Sequence, residues 1–214
     1  MKRFLITTGP TREYIDTVRF LSNAATGRTG FDIAREAVAR GHGAVVIAGP
    51  TFLEAPAGVR LIPVTTAEEM AVATMENLAD CDVVVASAAV SDWRPEKREP
   101  HKVPKGDVFD LRLVKTVDIM ELVGRNKGER LLIGFALEDK DARGRARAKI
   151  RSKNLDYIVV NGPENMGTPA GTYDILSRDG RIWSIGYLPK TKLAALLVSL
   201  AVEGEKALAA AKGA

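Results

Sequence analysis

Six short, mostly apolar runs, separated by stretches of helical spacing, constrain this chain more tightly than any other feature. They are Phe4-Leu5-Ile6, Ala44 to Ala48, Val59 to Val64, Cys81 to Ala86, Leu131 to Ala136 and Leu155 to Val160. Runs of this length with little internal alternation suit strands covered on both faces. The intervening segments predict helices: one over Ile33 to Val38, one from Met70 towards Leu78, one over Ile119 to Val123, and a charged one over Asp139 to Lys153. Thr66 with Glu69 three residues on forms a capping box for the second, and Thr116 is placed to cap the third. Alternation of this kind predicts an α/β fold, a doubly wound and mostly parallel sheet with helices on both faces. Near the C-terminus, Thr172 to Ser177 and Arg181 to Gly186 alternate about Arg178-Asp179-Gly180 and predict an antiparallel hairpin, followed by a helix from Lys190 to about Lys212. At 214 residues, with no internal repeat and no linker, a single domain over 1–214 is expected.

Two connections are too long and too polar to be simple turns. The first, Thr7 to Phe31, joins the opening strand to the first helix and carries Thr11, Arg12, Arg19, Ser22, Asn23, Thr26, Gly27, Arg28, Thr29 and Gly30. In open α/β sheets that position collects anions, because unpaired N–H groups and the helix dipole point there. The second, Ser91 to Asp107, holds three prolines and ten residues that are charged or histidine, and reads as a mobile surface loop, with a flap over about 93–107. Val108 to Leu113 then alternates as a half-exposed strand should. The net charge of +4 and pI near 9.2 come from dispersed lysines and arginines, which favours small anionic ligands over a nucleic acid. One cysteine, Cys81, excludes an internal disulfide framework and a multi-cysteine metal site. It reads as a small buried hydrophobe and His42 as a turn residue. Neither a signal peptide nor a membrane span is legible, so a cytoplasmic protein is expected.

Several of these segments together resemble one family. Thr11-Arg12-Glu13, Val18 to Asn23 and Gly27-Arg28-Thr29-Gly30-Phe31 are similar to the opening of the phosphopantothenoylcysteine synthetases, also called phosphopantothenate–cysteine ligases. Ala88-Ala89-Val90-Ser91-Asp92-Trp93-Arg94, His101 to Lys105, Gly134 to Glu138 and Lys149 to Asp156 follow in the family's order. In many bacteria that enzyme is the C-terminal half of a bifunctional coenzyme A protein, and this chain resembles a stand-alone counterpart. The resemblance implies a Rossmann-like sheet and a two-step ligation. The carboxylate of 4′-phosphopantothenate is activated by CTP, with ATP as the other candidate, and the acyl cytidylate passes to the amine of L-cysteine. It also implies catalytic roles for Asn23, Lys102 and Arg19, and nucleotide contacts at Gly9, Gly27, Ala88, Ala89, Asp92, Phe135, Lys149 and Lys153. Mg²⁺ would travel with the triphosphate rather than sit in a protein cage. Lys149 and Lys153, four apart on a helix, would share a face and bracket one polyanion. The chain departs from the family beside the key asparagine, reading Asn23-Ala24-Ala25-Thr26-Gly27-Arg28, and in the flap, reading His101-Lys102-Val103-Pro104-Lys105.

Without the resemblance, Asn23 would cap its own turn, and Lys102, Lys149 and Lys153 would be solvated. Two rival functions then stand: an NAD(P)-dependent reductase and a non-catalytic nucleotide-binding relative. Against the reductase, Gly27 and Gly30 come roughly twenty residues late for a dinucleotide fingerprint, and the second strand ends at Ala48-Gly49-Pro50 where an acidic ribose binder belongs. Tyr187 and Lys190 are also one residue too close for a Tyr-x-x-x-Lys pair. A homodimer is expected, since the long loop and the hairpin offer strand edges for a partner to cover.

Overall fold

A computed structural model describes residues 1–211. The strands are β1 (Arg3–Thr8), β2 (Arg12–Tyr14), β3 (Phe20–Ser22), β4 (Gly43–Ala48), β5 (Arg60–Pro63), β6 (Val83–Ala86), β7 (Trp93–Pro95), β8 (Leu113–Lys115), β9 (Leu131–Leu137), β10 (Tyr157–Asn161), β11 (Ala170–Ser177) and β12 (Ile182–Pro189). The helices are α1 (Arg28–Ala39), α2 (Ala67–Leu78), α3 (Ile119–Asn126), α4 (Ala142–Ser152), α5 (Lys190–Glu203) and α6 (Lys206–Ala211).

Eight strands form one sheet in the order β12-β11-β10-β9-β6-β1-β4-β5. The strands from β5 through β10 are parallel, and β11 and β12 close the far side as an antiparallel hairpin. Numbered among themselves, the parallel strands run 3-2-1-4-5-6, the order of a Rossmann sheet. The expected doubly wound sheet and terminal hairpin are therefore present.

Side-chain alternation along each strand divides the core in two. Phe4, Ile6, Val46, Val83, Val85, Ile133, Val159 and Ile175 face α1 and α5, which contribute Phe31, Ile33, Leu193 and Leu197. Leu5, Ile47, Val84, Leu132, Ile158 and Leu176 face α2, α3 and α4, with Met70, Val123 and Ile150. The capping box is complete: the Thr66 side chain accepts from the Glu69 N–H, and Glu69 accepts from the Thr66 N–H.

Five expectations need correction. The Thr7–Phe31 connection contains the hairpin β2–β3, and α1 begins at Arg28, five residues before the first apolar position of its predicted stretch. Val108 to Leu113 is not a strand; Val108 and Phe109 are exposed, and β8 starts only at Leu113, where β7 supplies a partner. Asp118, not Thr116, caps α3 by accepting from the Glu121 N–H, while the Thr116 hydroxyl donates to the Ser91 carbonyl. The charged helix starts at Ala142 after Asp141, whose φ of 44° breaks the helical path. The final helix is interrupted at Gly204, where φ is 75°, and the expected end at Lys212 lies outside the described residues.

Candidate functional site

The sheet reverses direction of progression between β1 and β6, and the loops leaving those strands part there to make a crevice. Its walls are Thr8 and Gly9 after β1, Ala25 to Thr29 entering α1, and Ser87-Ala88-Ala89 after β6. Phe135 and Leu137 of β9, Asn161 of β10, Asn165 to Gly167, Tyr173 of β11 and Lys190 of α5 complete it. The cavity holds ≈ 180 Å³, enough for a phosphate-bearing portion of a ligand and less than a whole nucleotide needs.

Glycines let the backbone form this crevice. Gly9 (φ 75°) and Gly27 (φ 84°) take left-handed conformations, and a Cβ on Gly27 would stand 3.3 Å from the Gly9 Cα. A Cβ on Gly30 would stand 2.4 Å from Thr8 Cβ and 2.8 Å from Ser87 Oγ, so only glycine lets α1 approach both β1 and β6. Thr8 Oγ1 donates to the Gly27 carbonyl at 2.7 Å, and Ser87 Oγ to the Thr7 carbonyl at 2.8 Å. Gly27 at the N-cap has no side chain to cap α1; the Arg28 N–H donates to Thr26 Oγ1 at 3.4 Å, and among the described residues the Thr29 and Gly30 N–H groups have no acceptor.

Of the residues expected at the nucleotide, Gly9, Gly27, Ala88, Ala89 and Phe135 all line this cavity. Asn23 is exposed and not part of the lining, but it adjoins Ala89, which is: its Nδ2 donates to the Ala89 carbonyl at 2.9 Å and the Val90 carbonyl at 3.2 Å, which ties the long loop to the segment after β6. Asp92 is exposed and outside the cavity; its carbonyl accepts from the Thr116 N–H at 3.1 Å. Lys149 and Lys153 are not gathered on one point. Lys149 Nζ pairs with the buried Glu138 at 2.6 Å, and Lys153 Nζ reaches Asp118 at 2.8 Å. Helical spacing gave them one face, but two carboxylates from different elements draw their ends apart.

Lys102 lies in the flap, and Arg19, in the turn between β2 and β3, is where the flap docks. The Asp16 side chain is buried, accepts from the Val18, Arg19 and Val103 N–H groups and pairs with the Arg19 guanidinium at 2.6 Å. Arg19 Nη2 also donates to the Val103 carbonyl at 2.7 Å, and the Glu99 N–H donates to Ile15 at 2.8 Å. The segment carrying Lys102 is therefore irregular in path but docked on the β2–β3 hairpin. The Arg19 N–H, foremost among these donors and against the opposing effect of burial, holds the Asp16 carboxyl well below the usual carboxylate range.

Sequence reasoning passed over Lys190, Asn161, Asn165 and Tyr173, which reach the cavity from the hairpin side of the sheet. Lys190 is 8% exposed, and burial lowers the pKa of its amine, with Arg28 adding to the fall and Asp32 opposing it. Among the described residues no three His, Cys, Asp or Glu side chains group as a metal site, and no carboxylate lines the cavity. Nor is any helix among them long and apolar enough to cross a membrane.

A 3-2-1-4-5-6 sheet with a glycine-walled cavity at its switch point defines the class of Rossmann-like α/β proteins that take a ligand beyond the strand ends. Within that class the chain belongs to the family described as the DNA/pantothenate metabolism flavoprotein C-terminal domain, whose pattern matches residues 1–204. It is 41% identical over 172 residues to the coenzyme A biosynthesis bifunctional protein CoaBC of Bacillus subtilis, across 79% of this chain and 42% of that one. With the CoaBC of Mycobacterium tuberculosis H37Rv it shares 35% over 217 residues, across 94% of this chain and 52% of the relative. The chain thus spans about half the length of these curated relatives or less. The crystal structure of a CoaBC C-terminal domain superposes with a TM-score of 0.82 at 35% identity, covering 96% of each chain. A Cab2 mutant solved with phosphopantothenate-cysteine shares the fold at a TM-score of 0.75 and 17% identity.

Proposed function

We propose that this chain is a phosphopantothenate–cysteine ligase. The observation that carries the reading is the correspondence with the CoaBC C-terminal domain over 96% of both chains, with the cavity at the switch point. In the first step the carboxylate of 4′-phosphopantothenate attacks the α-phosphate of CTP and pyrophosphate leaves. In the second, the amine of L-cysteine attacks the acyl carbon of the acyl cytidylate, an amide forms, and CMP leaves as the amine gives up its proton.

Both steps build negative charge on oxygen, and the chain's own groups can meet it. The first N–H groups of α1 and the cations Lys190 and Arg28 supply fixed positive potential at the cavity. Asn23 sits where its amide holds the Ala89 and Val90 carbonyls in place, and a small shift would aim it at an acyl or phosphoryl oxygen. Lys102, one residue before the docked Val103, can be carried to the substrate by movement of the flap. Gly9, Gly27, Ala88 and Ala89 admit the nucleotide's phosphates close to the backbone, with Phe135 as an apolar wall. Mg²⁺ would come as a counter-ion of the triphosphate, since the cavity offers no carboxylate to hold one.

The reading also takes in a cytoplasmic homodimer. The cavity is too small for both substrates, while Val18, Phe20, Trp93, Val108 and Phe109 expose apolar surface on the hairpin, the flap and the segment after it. A second copy covering that surface would complete the enclosure. The test is turnover: incubation with CTP or ATP, phosphopantothenate and cysteine should release pyrophosphate and yield the amide. Nucleotide binding without turnover would favour a non-catalytic relative instead.

A further inference from the structure

Lys190 has no part in the assignments inherited from the family resemblance, yet its position is costly and well defined. It follows Pro189 at the turn from β12 into α5 and is 8% exposed. Its Nζ donates to the Asn165 carbonyl at 3.1 Å, and among the described residues that is its single acceptor and no carboxylate pairs with it. An ammonium has three N–H donors, so two lack a protein partner.

The carbonyl it meets is held rigidly. Asn165 donates from Nδ2 to the Thr172 carbonyl at 2.8 Å and accepts at Oδ1 from the Thr172 N–H at 3.2 Å. Gly171 leaves the room for this clamp, since a Cβ there would stand 2.2 Å from Asn165 Cγ. The buried Asp32 of α1 acts on Lys190 only at a distance and is itself paired with Arg35, so Lys190 is withdrawn from water without a carboxylate in contact, a cost that an apolar side chain of similar length would avoid. Arg28, in the first turn of α1, lines the same cavity and forms no ion pair among the described residues. Two cations and the Thr29 and Gly30 N–H groups of α1, which have no acceptor among the described residues, thus converge on a cavity without a carboxylate in its walls.

We propose that Lys190, with Arg28 and the N-terminus of α1, forms a phosphate subsite of this cavity. The identity of the ligand rests on the ligase reading, under which two substrates carry phosphate: the nucleotide and 4′-phosphopantothenate. The subsite requires anion chemistry, and kinetics distinguish the source.

The test uses the full chain with Lys190→Gln, which can still donate to the Asn165 carbonyl but has no charge, and Lys190→Met, which has neither. The probes are inorganic pyrophosphate, CTP, ATP and phosphopantothenate. Both variants are expected to unfold at or above the wild-type temperature without ligand, and to lose the stabilisation that pyrophosphate gives the wild type. The KM for one phosphate substrate should rise about tenfold or more, with kcat less affected; a rise for the nucleotide or for phosphopantothenate names the source. If Lys190→Gln binds pyrophosphate and both substrates as the wild type does, the subsite is wrong even if the wild type ligates. If the wild type fails to ligate while pyrophosphate or a nucleotide stabilises it and not the variants, the ligase reading falls and the subsite stands. Failure of both variants to fold would make Lys190 a structural residue and overturn the assignment.

Discussion

Asn23 gives its amide protons to two consecutive carbonyls, those of Ala89 and Val90, and so sets the width of the crevice between the long loop and the segment after β6. An aspartate there would oppose a charged acceptor to two acceptors. Asn23→Asp is therefore expected to lower ligation by about a hundredfold or more, the ~3 kcal/mol of an unsatisfied, repelled polar contact, while wild-type turnover would remove Asn23 from the mechanism. Lys102→Gln should slow the nucleotidyl-transfer step more than the amide-forming step, which single-turnover assays separate. Gly30→Ala forces a methyl group against Thr8 and Ser87 and should cost about 1–3 kcal/mol in urea unfolding; an unchanged midpoint would show that α1 can back away. Gly9, Gly27, Ala88 and Ala89 were legible through the family resemblance, and their place after β1, before α1 and after β6 puts them in the cavity wall. Lys190 and Asn165 were not, because a lysine opening a helix looks like any solvated lysine until the hairpin folds over it.

At the scale of elements, the flap is fastened by one buried carboxylate. Asp16 binds the N–H groups of Val18, Arg19 and Val103, and these donors depress its pKa in the folded chain. Because the folded value is depressed, the stabilisation is fully present above the ordinary carboxylate value of about 3.9 and is lost as pH falls through the lower folded value. Docking of the flap should hence be constant from neutral pH down to about pH 4 and weaken below it. Asp16→Asn should release the flap already at neutral pH, read as faster tryptic cleavage after Lys102 and Lys105; equal cleavage rates would mean that other contacts hold it. The parallel strands were legible because each is an apolar run long enough to stand out against its flanks. Strands β2, β3, β7 and β8 have three residues each, too few for a period to register, and they exist because they pair with one another rather than because of their composition.

The whole molecule ties these parts to a surface that one chain leaves open. Sedimentation at micromolar concentration should give twice the 23.1 kDa chain mass, and a monomer would contradict the shared enclosure. Fold class was readable from strand and helix alternation, whereas the far wall of the cavity was not, because Asn161, Tyr173 and Lys190 reach it from three different elements. Under the ligase proposal this cavity joins an organic acid to a nucleotide and then to an amine. The most direct test of that proposal is a single reaction followed for pyrophosphate and for product by mass spectrometry. With CTP or ATP, phosphopantothenate and cysteine together, stoichiometric pyrophosphate and phosphopantothenoylcysteine are expected, with no amide when any one substrate is withheld. No pyrophosphate and no amide from folded protein with either nucleotide would contradict it.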